Sequence, residues 1–146
     1  MTATLQEPPI TKQPRRVDGR VFRITATVHT VLAYGQPAFA GVYLSGDIGG
    51  LNWHAGGADA VFSLGLLQAV VAGFAARRMR RWWPFAVSML LLAAESVQYL
   101  AGMKGLLWLH IPLGVMLIAG LTVLAAALWV RPLPERVVPS AGELDD

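Results

Sequence analysis

The stretch YLSGDIGGLNWH at residues 43–54 recurs, 56 residues further on and without a gap, as YLAGMKGLLWLH at residues 99–110. Six of the twelve positions coincide: Tyr43 with Tyr99, Leu44 with Leu100, Gly46 with Gly102, Gly49 with Gly105, Leu51 with Leu107 and His54 with His110. Each copy joins two long apolar runs, so the repeating unit is a helical hairpin that must bury its apolar faces against a neighbour. The predicted fold is all-α and membrane-integral: a four-helix up-down-up-down transmembrane bundle built from two repeated helical hairpins.

Composition points the same way. Of 146 residues, 55% are apolar and 14% charged, too apolar a balance for an ordinary water-soluble domain. Spans are expected at 22–44, 54–74, 83–101 and 106–130, each close to the ~20 residues that cross a hydrocarbon core. They are joined by a Gly-rich loop at 46–53, a basic turn holding Arg77, Arg78, Arg80 and Arg81, and a tight turn at 102–105. Short connections of this kind make sequential helices antiparallel neighbours. The organisation is then a disordered cytoplasmic tail at 1–19, a four-span bundle at 20–130 and a second disordered cytoplasmic tail at 131–146. Proline and polar residues dominate both tails, and the first lacks the apolar core of a signal peptide.

Charge sets the orientation. The net charge of +3 does not indicate nucleic acid, because the basic residues track the predicted membrane boundary. Eleven of the twelve lysines and arginines fall on the side of the two tails and the basic turn, and Lys104 alone falls on the other. By the positive-inside rule both termini are cytoplasmic and both histidine-bearing connections face outward. Trp53, Trp82, Trp83, Trp108 and Trp129 cluster near span ends, as indole does at headgroup depth. With no cysteine in the chain, disulfides, thiolate metal sites and covalent c-type haem attachment are excluded.

The chemistry rests on His54 and His110. Each stands within about a turn of the outer end of its helix, and the second and fourth helices of a ring lie on a diagonal. Inward-facing imidazoles from diagonal helices approach a common centre from opposite sides, the arrangement that ligates a haem b on both faces for electron transfer. Ala58 and Gly114 follow one turn after the two histidines and leave space for a macrocycle. The same small residues also serve close helix packing, and two interfacial histidines bonded to loop carbonyls are the structural alternative.

Other polar residues fall in the outer half of the spans. Glu95, Asp59, Gln36 and Gln98 are candidates to orient an iron-bound imidazole, to relay protons or to bind a quinone head group; plain interhelical hydrogen bonding is the competing reading. Lys104 is placed to meet a haem propionate. His29 has Phe85 as its counterpart under the 56-residue shift, so it lacks a symmetric partner. It reads as a buried, hydrogen-bonded histidine, with a quinone-site role as the alternative. Three histidines in all favour one haem over two.

Four helices, histidines opening the second and fourth, and a Gly-x-Leu-x-x-His approach at 49–54 and again at 105–110 resemble one half of a haem A synthase. The resemblance covers residues 22–130 and is closer to the cofactor-holding half of that family than to the oxidising half. It implies a haem held between His54 and His110. The catalytic half of the family carries a glutamate three residues before its first histidine and an arginine just after it; Leu51 and Ala55 occupy those positions here. The pocket is therefore expected without the haem A synthase reaction. The chain also resembles small four-span actinobacterial membrane proteins of unassigned role, which implies a bacterial plasma membrane.

Two functions of different class follow. One is a membrane b-type haem protein working in electron transfer or haem handling, not a self-sufficient enzyme, that exchanges electrons with quinol, a respiratory-chain or other membrane subunit, or a second copy of itself. The other is a cofactor-free membrane accessory or assembly subunit. Beyond the lipid bilayer, a partner subunit and homo-oligomerisation are both open, and nucleic acid is not expected.

Overall fold

The computed structural model describes residues 19–131, and they form four helices: α1 (Arg20–Leu44), α2 (Gly49–Met79), α3 (Trp83–Met103) and α4 (Leu107–Val130). Apart from Gly19 and Arg131, the predicted tails lie outside the described residues. Each helix packs against its neighbour in sequence, and α1 closes the ring against α4, while α1 and α3, like α2 and α4, face each other across a diagonal without close backbone approach.

Helix positions agree with the apolar runs, and both ends of α2 are corrected: it starts inside the expected Gly-rich loop and runs on to Met79, so Arg77 and Arg78, expected in the turn, lie in its last turn. The Gly-rich segment expected as a loop over 46–53 is largely helical, since α2 begins at Gly49. Two local effects account for this. Asp47 Oδ1 accepts a hydrogen bond from the Gly49 amide at 2.8 Å, satisfying one of the free N–H groups at the helix start. A Cβ at Gly50 would collide with the Tyr43 and Phe39 backbone, so glycine there lets α1 and α2 meet closely. At the far end, α2 runs into the basic segment and stops where Arg80 takes the left-handed conformation at φ 52°.

Three helices, α2, α3 and α4, are long and apolar enough to cross a membrane. The predicted first span differs: α1 has the length, 25 residues, but not the hydropathy. Arg23, Thr25, Thr27, His29, Thr30 and Gln36 interrupt it, and several of these groups are used inward or along the α4 seam. Thr30 Oγ donates to the Ala26 and Leu121 carbonyls, Arg23 Nε to the Leu128 carbonyl, and Trp129 Nε1 to Thr27 Oγ. Outward faces are apolar on every helix, with Val31, Leu90, Met116 and Val130 among the exposed residues. That pattern suits lipid as the surrounding solvent.

The interior is divided along its length. At the arginine-bearing end Phe22, Ala26, Ala72, Met79, Leu124 and Leu128 form a closed apolar core. Toward the middle, His29, Gln68, Ser88 and Glu95 are buried together. At the histidine-bearing end the core gives way to a cavity.

Candidate functional site

The repeat brings its two histidines together. His54, five residues into α2, and His110, three residues into α4, approach across the bundle with ring centroids 5.9 Å apart and planes at 77°. Neither helix backbone reaches the other, so at this end of the bundle the diagonal is bridged by side chains, the two imidazoles among them.

Both rings are held in the same manner. His54 Nδ1 lies 3.1 Å from the Gln36 carbonyl oxygen on α1, and His110 Nδ1 lies 3.0 Å from the Gln98 carbonyl oxygen on α3. A helical carbonyl has a second lone pair beyond its helix bond, so each can accept from an imidazole. A carbonyl only accepts, hence each Nδ1 carries the proton and donates it. Each Nε2 is left with a lone pair, and neither makes a recorded hydrogen bond among the described residues. This tautomer, fixed by a backbone carbonyl, is the one that metal-ligating histidines adopt.

Glycine admits one of these rings. A Cβ on Gly102 would stand 2.9 Å from His110 Cε1 and 3.1 Å from its Nδ1, closer than a side chain tolerates. A Cβ on its counterpart Gly46 would meet nothing within 4 Å, but Gly46 adopts φ +99°, so the glycine serves ring passage at one position and chain reversal at the other.

The cavity beside the rings measures about 570 Å³ with its open mouth included, and apolar side chains form most of its wall around a few polar groups. His54, His110, Ala58, Gly114, Gln36, Gln98 and Glu95 all line it, so seven of the residues singled out by sequence converge. Gln36 Oε1, Gln98 Oε1 and Glu95 Oε2 are buried without a hydrogen-bond partner. Tyr99, from the repeat, lines the cavity too, and Ala33, Val61, Phe62, Leu117, Ile118 and Leu121 complete the wall; an apolar residue in an apolar span carries no sequence signal of which face it occupies.

Three predicted residues lie elsewhere. Asp59 is exposed and accepts a 2.6 Å hydrogen bond from Tyr99 Oη. Lys104 is exposed at the C-terminal cap of α3 and does not line the cavity. His29 is deep in the core, with Nε2 at 2.9 Å from Glu95 Oε1 and Nδ1 at 3.0 Å from Gln68 Oε1. The side chains of Glu95, Asp59, Gln36 and Gln98 are the groups expected to orient the site imidazoles; the main-chain carbonyls of Gln36 and Gln98 occupy that place instead, and Glu95 turns to His29. Gln68, which also reaches Ser88 Oγ at 3.4 Å, went unremarked in the sequence although an amide in mid-span is itself a signal.

Among the described residues no group of three or more His, Asp or Glu side chains converges as a metal site; the histidines act as a pair. Comparison with family models, with curated proteins and with solved structures finds no match.

Proposed function

We propose that this protein is a b-type haem protein of a bacterial plasma membrane, a four-span up-down-up-down bundle with both termini cytoplasmic, that serves electron transfer or haem handling. The observation that carries the reading is the pair of imidazoles, each with Nδ1 at hydrogen-bond distance from a backbone carbonyl and each lining one cavity. Their 5.9 Å centroid separation is commensurate with two metal–nitrogen bonds of ~2 Å plus the half-widths of two rings.

His54 and His110 would hold the haem through Nε2. The Gln36 and Gln98 carbonyls keep both rings in the ligating tautomer and raise the basicity of the free nitrogens. Ala58 and Gly114 keep the wall flat beside them, and Phe62, Leu117 and Ile118 exclude water. Bound haem supplies reversible one-electron exchange. The partnerless amide oxygens of Gln36 and Gln98 are where the hydroxyls of a quinol head group would donate hydrogen bonds. With Leu51 and Ala55 where the catalytic half of a haem A synthase carries glutamate and arginine, the proposed role is that of a carrier or haem-handling subunit and not of a haem A synthase.

One observation favours the second reading, a cofactor-free accessory subunit. The two rings stand edge to face at a separation typical of packed aromatic pairs. A single spectrum separates the two. Protein purified from haem-supplied cells is expected to give a sharp α band on dithionite reduction, lost in His54→Ala and in His110→Ala. A folded preparation without the band establishes the accessory reading, and a band that survives either substitution removes that histidine from the ligand set.

A further inference from the structure

The arginine-bearing end holds a second concavity, away from the histidines. Between α2 and α3 runs an open groove of about 650 Å³ with its open side included. Gly73, Phe74, Phe85 and Met89 line it, and Trp82 and Arg77 stand at its end. Gly73 and Arg77 are four residues apart on one face of α2, as Phe85 and Met89 are on α3. Trp82 packs edge-on against Phe85 at 6.0 Å, closing the groove beside the guanidinium.

Among the described residues, the charge of the α2–α3 connection is unpaired. Arg77, Arg78, Arg80 and Arg81 fall within five consecutive positions, and none makes an ion pair or side-chain hydrogen bond among the described residues. The three described acids are used elsewhere: Asp47 on the Gly49 amide, Asp59 on Tyr99 and Glu95 on His29. An apolar channel that ends in an unpaired guanidinium and an indole matches one kind of occupant, an acyl chain continuous with an anionic phosphodiester.

We infer that the α2–α3 groove is a binding site for an anionic phospholipid, with the acyl chain along Gly73 and Phe85 and the phosphate on Arg77. From Arg77 back to Ala69 the groove follows α2 for about 12 Å, a length that an acyl chain fills and a free phosphate does not. A choline headgroup would bring its ammonium against four arginines, so the site discriminates by headgroup charge. The inference rests on the bilayer reading of the bundle and is independent of the haem.

The test is native mass spectrometry of the full chain in detergent, titrated with phosphatidylglycerol or phosphatidylcholine of the same acyl chains. Phosphatidylglycerol is expected to be retained at lower concentration, and Arg77→Gln to weaken that retention about fivefold. Gly73→Leu is expected to weaken retention of the same lipid: a Cβ there meets Phe85 at an ordinary 3.4 Å, and the remaining atoms enter the groove. Arg78→Gln, outside the groove lining, is expected to change it less, and soluble glycerophosphoglycerol not to compete. Equal retention of the two lipids, equal losses from Arg77→Gln and Arg78→Gln, or full binding by Gly73→Leu would overturn the site. Resistance of the protein to alkaline carbonate extraction from membranes tests the bilayer reading separately.

Discussion

Glu95 Oε1 stands 2.9 Å from His29 Nε2, so α3 is joined to α1 across one diagonal of the ring while His54 and His110 join α2 to α4 across the other. Helices on a diagonal are too far apart for their backbones to meet, and long polar side chains fill the axis instead. The residues of the lower pair are 1% and 5% exposed. Inside an apolar bundle such groups persist only when paired, and Gln68 holds the other edge of His29. Glu95 also lines the cavity, so the two pairs are in series along the bundle.

Removing one member of the lower pair leaves the other buried and alone. Glu95→Ala and His29→Ala are each expected to destabilise the bundle by about 3 kcal/mol, and the double substitution by clearly less than the sum. Denaturant titration in micelles, followed by helicity, checks this; simple additivity would show that the two groups are not coupled.

Gly102 and Gly46 occupy the same place in the repeat and should fail in different ways. Gly102→Val pushes a branched side chain into the His110 ring and is expected to reduce the α-band amplitude several-fold with helicity retained. Gly46→Ala strains a left-handed turn, which costs about 1 kcal/mol of stability, and should leave the band in place. Difference spectra and thermal unfolding of the two variants, run side by side, decide it.

Asp59 and Lys104 lie off the cavity. Asp59→Asn and Lys104→Ala are therefore expected to retain the cofactor at the level of the unaltered protein, read as haem per polypeptide after purification. A loss in either would bring that residue back to the site.

The arginine-end core should be separable from the histidine end. Leu128, fully buried against Phe22 and Ala72, is expected to lose about 2–4 kcal/mol on substitution by alanine, with the α-band position unchanged. A shifted band in Leu128→Ala would mean that packing at one end controls ligation at the other.

How far the sequence could be read differs between the helices and the contacts. Apolar runs located all four helices, because burial of twenty or so apolar residues leaves few alternatives. They misplaced the start of α2, where glycine was read as loop. The segment is helical because Asp47 supplies a hydrogen bond and Gly50 permits contact with α1, and neither effect is visible in hydropathy. The first helix was expected as a span like the others; it lacks their hydropathy, and of its polar residues Arg23, Thr27 and Thr30 face the α4 seam while His29 meets Gln68 and Glu95.

By itself the sequence determined the positions of four helices and an ungapped 56-residue similarity that ends on a histidine each time; equivalent heights for the two histidines are what that spacing predicts, since an ungapped shift preserves helical phase. Only the tertiary structure decided what those histidines touch. Their Nδ1 partners are main-chain carbonyls, which every residue possesses, so no letter of the chain marks Gln36 or Gln98 as the acceptor. The same holds for Glu95: its position along α3 suggested the histidine end, and the side chain crosses the axis to a residue 66 places earlier, a choice set by how the ring of helices closes.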